Sequence, residues 1–222
     1  MDWDALSLSL RLAAWTTVLL LPLGVLVARA LAFRRFAARG LVETLIMVPL
    51  LLPPTVLGYY LLATLGGGTA LGEGYRALTG GSLVFTFEGL VLASMIFNLP
   101  FAVQPMQRGF ETIPPDVREA AWCSGMTRWR AFWRVELPLA WPGVVSALVL
   151  VFAHTLGEFG VVLMMGGNIP GETRTISIAI YDRVQAFDTS AAATMSALLL
   201  GFSMAAIWLV YVLGHRTDRR HG

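Results

Sequence analysis

Apolar residues gather into five long runs, at 12–33, 41–65, 83–107, 139–165 and 189–213. A helix needs roughly 20 apolar residues to cross about 30 Å of hydrocarbon, and each run is long enough. Lipid offers backbone N–H and C=O groups no water, so each run must satisfy its own hydrogen bonds as a helix. Hydrophobic residues are 56% of the 222 and charged residues only 14%, which places the chain in the membrane class. The pattern predicts an all-α membrane protein of about five transmembrane helices in one domain, 1–222. The first run is not a removable signal. Its positive charges, Arg29, Arg34, Arg35 and Arg39, follow the apolar residues instead of preceding them.

Several chemistries are excluded early. The formal net charge of +2 is too small for a nucleic-acid binder. All 16 basic residues are arginine, so the chain has no lysine for a phosphate-binding loop and no ATPase site of that type. One cysteine, Cys123, rules out an internal disulfide framework and a cysteine-based zinc site.

Polar and helix-breaking residues inside the runs draw attention. Pro49, Pro53 and Pro54 interrupt the second run, either as a tolerated kink or as a hinge that lines a pathway. Asn98 in the third run is suited to an interhelical hydrogen bond. His154 and Glu158 in the fourth run are four apart and share a helical face. Two ligands are too few for a metal. A carboxylate in hydrocarbon costs on the order of 2.5–3.5 kcal/mol, so Glu158 needs a partner or a polar cavity. It is either half of a structural pair or part of a pathway. Between the runs, 66–81 reads as a flexible glycine-rich loop and 166–188 as a polar connector with turns.

The remaining interval, 108–138, is an arginine-rich island. Pro114 and Pro115 open it, and 116–123 can form about two helical turns with Asp116 at the favourable end. Gly125 breaks the helix and Thr127 can cap a second short one. There Trp129, Phe132 and Trp133 fall at i, i+3, i+4 and form an apolar edge, with Arg128, Arg130 and Arg134 directed elsewhere. Such an aromatic ridge is a docking surface. Arginine also orients the chain. Arg34, Arg35, Arg39, Arg108, Arg118, Arg128, Arg130, Arg134, Arg216, Arg219 and Arg220 fall on one side, against Arg11, Arg76, Arg174 and Arg183 on the other. The arginine-rich side is the cytoplasmic one, which puts the N-terminus outside and the C-terminus inside.

Glu119-Ala120-Ala121, then Gly125, then nine residues and Val135-Glu136-Leu137-Pro138, resembles the signature loop of ABC-importer membrane permeases, with valine where isoleucine is usual. Leu156-Gly157-Glu158-Phe159-Gly160 followed by Gly167-Asn168-Ile169 is similar to the sulfate and molybdate group of those permeases. Ile169-Pro170-Gly171-Glu172-Thr173-Arg174-Thr175-Ile176, Ala179-Ile180-Tyr181 and Pro49-Leu50-Leu51-Leu52-Pro53-Pro54-Thr55-Val56-Leu57-Gly58-Tyr59 resemble molybdate permeases in particular.

The resemblance implies a type I importer permease fold in the cytoplasmic (inner) membrane, with 108–138 as a coupling-helix loop seated on an ATPase. Glu119, Ala120, Ala121, Gly125, Trp129, Leu137 and Pro138 become the candidate coupling residues. Pro53, Pro54, Glu158, Gly160 and Asn168 become the candidate pathway or gate residues. It further implies a second copy of the chain, two ABC ATPase subunits carrying ATP and Mg²⁺, and an extracytoplasmic molybdate-binding protein, beside membrane lipid. No cofactor, metal or catalytic residue is assigned to this chain. Tungstate and sulfate or thiosulfate compete with molybdate as substrate. An ATP-independent channel would leave the island without purpose, and an intramembrane enzyme would lack a nucleophile or metal set beside His154 and Glu158.

Overall fold

The computed structural model describes residues 2–218; Arg219 and Arg220 of the charge count lie outside them. Helix α1 (Trp3–Phe33) starts nine residues before the expected first span. The Asp2 carboxylate accepts from the Ala5 N–H at 2.9 Å, and Asp4 lies in the first turn, so a capped start extends the helix beyond the hydrocarbon.

The second expected span is not one helix. It divides into α2 (Arg39–Leu51) and α3 (Pro54–Leu65), bent by 111°. Leu52 is extended, Pro53 has no N–H to donate, and Pro54 sits in the first turn of α3, where proline is tolerated. The prolines therefore break the span rather than kink it.

The glycine-rich connector, expected as a loop, contains helix α4 (Ala70–Thr79). The Thr69 hydroxyl accepts from Gly72 N–H at 3.0 Å at its start, and Gly80 closes it with a left-handed backbone. Helix α5 (Phe87–Glu111) follows, capped by Thr86.

The island folds into α6 (Pro115–Cys123) and α7 (Arg128–Ala131). A π-helical turn, Phe132–Glu136, joins α7 to α8 (Leu137–Gly157), and Arg128–Gly157 is one uninterrupted helix of 30 residues. The fourth expected span ran to residue 165, but Glu158 is extended and Gly160–Gly166 forms a separate helix, α9. The polar connector carries α10 (Ile176–Gln185), and α11 (Thr189–Asp218) ends the described chain.

Helices α1, α5 and α8 pack against one another as the core of the bundle; α2 lies on α5, α3 on α9, and α11 on α8. One buried cluster joins Leu12, Leu57, Leu90, Phe97, Val161 and Met165. A second, toward the island, joins Leu31, Met106, Phe110, Phe132 and Val144. Among the described residues three helices, Trp3–Phe33, Phe87–Glu111 and Arg128–Gly157, are long and apolar enough to cross a membrane. The bent pair α2–α3 makes a fourth if it counts as one crossing, and α11 contributes the shorter apolar helix Thr189–Ala205.

Candidate functional site

The island projects from the bundle as a foot. Pro114 and Pro115 start α6, and Gly125 turns the chain at φ +76°, a left-handed value that glycine adopts without steric cost. The Thr127 hydroxyl then accepts from Arg130 N–H at 3.3 Å, the cap the sequence predicts. Glu119 and Ala120 are exposed on α6, whereas Ala121 faces the bundle and is buried. Trp129 and Trp133 are 67% and 51% exposed, with ring centroids 5.6 Å apart. Phe132 is not on that outer edge. It is buried at the base, stacked on Trp129 at 5.7 Å, with the Arg29 guanidinium over its ring, 5.4 Å from the centroid. Leu137 packs partly buried against the second cluster, and Pro138 is exposed in the first turn of α8.

An ion-pair group roots the foot. Glu136, 1% exposed, accepts from Arg29 Nε of α1 at 2.5 Å and from Arg118 Nε of α6 at 3.1 Å. Arg118 also lies over the Phe33 ring at 3.6 Å and the Trp122 ring at 5.0 Å. A buried carboxylate is tolerated only when partnered, and here two guanidinium groups supply the partners. Sequence reasoning did not single out Glu136, Arg29 or Arg118. The available signal was that Glu136 is the one acid between Met126 and Pro138.

A second polar group lies inside the bundle. Glu158, 4% exposed, accepts from Ser94 Oγ at 2.5 Å and from the Asn98 side-chain amide. His154 Nδ1 donates to Asn98 Oδ1 at 3.0 Å and stands 3.8 Å from Glu158. The His154 ring packs between Phe97 and Phe101, at 5.2 and 4.3 Å. The expected partner for Glu158 is therefore α5, which bridges it to His154; Ser94 was not foreseen. Among the described residues no group of three or more His, Cys, Asp or Glu could hold a metal.

The two helix breaks meet beside this group. A Cβ on Gly160 would stand 3.0 Å from Pro54 Cβ and 3.1 Å from Thr55 N, so the absence of a side chain lets α9 begin closely against the start of α3. Pro53, Pro54, Glu158 and Gly160 thus belong to one region. Asn168 does not bond there. It donates to Asp182 Oδ2 at 2.8 Å and accepts from Arg174 Nε at 2.6 Å, in the connector before α10.

A membrane bundle with abutting helix breaks and a projecting cationic foot is the architecture of an importer membrane subunit. A bacterial ABC transporter chain involved in the import of the polysaccharide alginate has the same fold, with a TM-score of 0.73 at 18% identity over 97% of this chain and 78% of that one. The chain belongs to the family of binding-protein-dependent transport system inner membrane components, matched over residues 21–219. It is a multi-pass inner-membrane transport subunit and not an enzyme. It is 45% identical over 210 residues to the molybdenum transport system permease protein ModB of Azotobacter vinelandii, covering 95% of this chain and 93% of that protein. It is 34% identical over 197 residues to the sulfate transport system permease protein CysT of Escherichia coli K12, covering 89% and 71%.

Proposed function

We propose that this chain is the permease subunit of a molybdate importer, driven by ATP hydrolysis on a separate subunit. The observation that carries the substrate is the 45% identity to a molybdenum permease along nearly the whole of both chains, against 34% to a sulfate permease.

Two copies pair around a central pathway, and two ATPase subunits dock on the foot through Glu119, Ala120, Ala121, Gly125, Trp129, Leu137 and Pro138. Support for this docking comes from exposed Trp129 and Trp133, a large aromatic surface of the kind that anchors interfaces. An extracytoplasmic binding protein delivers the anion to the opposite mouth, where Asn168 lies. The abutting breaks at Pro53, Pro54, Glu158 and Gly160 form the gate. Irregular backbone at membrane depth persists where it is packed in protein or lines a cavity, which supports that role. The arginine bias sets the N-terminus outside and the C-terminus in the cytoplasm.

The test is reconstitution of the chain with its ATPase and binding protein in liposomes. Molybdate-loaded binding protein is expected to stimulate ATP hydrolysis and molybdate uptake, with tungstate competing and sulfate or thiosulfate not. Greater stimulation by sulfate assigns the chain to sulfate, and uptake without ATP rejects the importer reading.

A further inference from the structure

Behind the foot, between the inner face of α6 and the end of α1, lies a cavity of about 230 Å³ lined by Arg29, Phe33, Arg34, Arg118, Trp122 and Arg128. Four of its six lining residues are arginine and none is acidic. Glu136 reaches two of them, Arg29 and Arg118, and takes only their Nε–H groups. One buried carboxylate thus offsets one of four positive charges. The Nη groups of Arg29 and Arg118, and the whole guanidinium groups of Arg34 and Arg128, have no hydrogen-bond or ion-pair partner among the described residues.

The arrangement is built rather than incidental. Arg118 is fixed over Phe33 and Trp122, and Arg29 over Phe132, so two guanidinium groups are held by ring faces as well as by Glu136. Four like charges around one small cavity repel one another, and an anion between them relieves that repulsion. Guanidinium forks match oxyanions by paired N–H donors, better than any other side chain. The volume is below the roughly 300–1,000 Å³ of a drug-sized ligand site, which fits a head group rather than a nucleotide. The cavity also sits at the C-terminal end of α1, beside the basic stretch Arg29, Arg34, Arg35 and Arg39 that follows its apolar run, and basic clusters flanking a span attract anionic head groups.

We propose that this cavity is a binding site for a phosphate-type tetrahedral oxyanion, supplied by an anionic lipid head group or by a free oxyanion. None of its lining residues belongs to the gate or to the residues named for docking the ATPase. Its occupant touches both α1 and α6, so it fastens the foot to the first span.

The test uses the assembled transporter, permease with ATPase, in phosphatidylcholine nanodiscs. One arm adds phosphatidylglycerol and the other adds inorganic phosphate; thermal shift and lipid retention in native mass spectrometry are read. The expected result is that one probe raises the melting temperature, and that Arg34→Gln with Arg128→Gln weakens this binding at least tenfold. That pair leaves Arg29, Arg118 and Glu136 intact. If the double variant does not assemble, each single variant is expected to weaken binding several-fold. Arg34→Lys with Arg128→Lys is expected to recover part of it. Stabilisation by phosphatidylglycerol alone identifies the lipid as the source, and stabilisation by phosphate without anionic lipid identifies a free ion. Binding of neither probe overturns the proposal, as would follow if an ATPase carboxylate fills the cavity. An equal loss from Arg130→Gln with Arg134→Gln, elsewhere on the foot, also overturns it, because the effect would then be general surface charge.

Discussion

Arg118 in α6 and Glu136, at the end of the π-helical turn that leads into α8, form a 3.1 Å ion pair, and the same carboxylate holds Arg29 of α1 at 2.5 Å. Three separate elements therefore meet on one buried carboxylate. Replacing it by the neutral amide leaves two guanidinium groups sharing one uncharged acceptor. Glu136→Gln is expected to lower permease stability by about 1.5–3 kcal/mol, the range for hydrogen bonds to charged groups. Thermal unfolding in detergent measures it. An unchanged melting temperature would show that the group does not root the foot.

Trp129 has the opposite character, being 67% exposed and bonded to nothing polar in the foot. Trp129→Ala is expected to leave the permease as stable as before. Docking of the ATPase should weaken by about 2 kcal/mol, roughly thirtyfold, as for an aromatic anchor at an interface. Co-purification at graded ATPase concentration reads this directly, and full retention of the ATPase would remove Trp129 from the contact.

Glu158 accepts hydrogen bonds from two α5 side chains, so Glu158→Ala orphans Ser94 Oγ–H and part of the Asn98 amide. The expected cost is about 1–3 kcal/mol. Because the break it joins forms the proposed gate, liposomes carrying this variant should also leak molybdate without ATP. Lower stability with no leak would leave Glu158 structural and take it out of the gate.

Cys123 is the one cysteine and is exposed at the end of α6. In intact cells lacking the ATPase, a membrane-impermeant maleimide should not label it, and permeabilisation should make it reactive. Labelling from outside would reverse the topology. Co-expressed ATPase should slow the reaction after permeabilisation.

Local signals made much of the foot readable. Paired prolines, an acid in the first turn, Gly125 and Thr127 each act within four residues, and α6 and α7 form where they indicate. The resemblance of the Glu-Ala-Ala stretch supplied the docking role proposed for it. Contacts set by tertiary packing were not readable. Arg29 and Glu136 are 107 residues apart, and Ser94 and Glu158 are 64 apart, so nothing in their neighbourhoods links them. Phe132 matched its tryptophan neighbours in spacing, yet packing against Val144 and Phe110 in the second cluster draws it inward. Helix α4 was masked for another reason. Its glycines lower helix propensity along the segment, while Thr69 and Gly80 at the two ends favour the helix.

The helix Arg128–Gly157 runs without interruption from the tryptophans of the foot to the residue before Glu158. At 1.5 Å per residue its 30 residues make a shaft about 45 Å long. Such a shaft turns a tilt of about 5° at one end into a swing of about 4 Å at the other. A nudge too small to disturb the foot's own packing is thereby magnified into a displacement wider than a water molecule, delivered where the two broken helices touch.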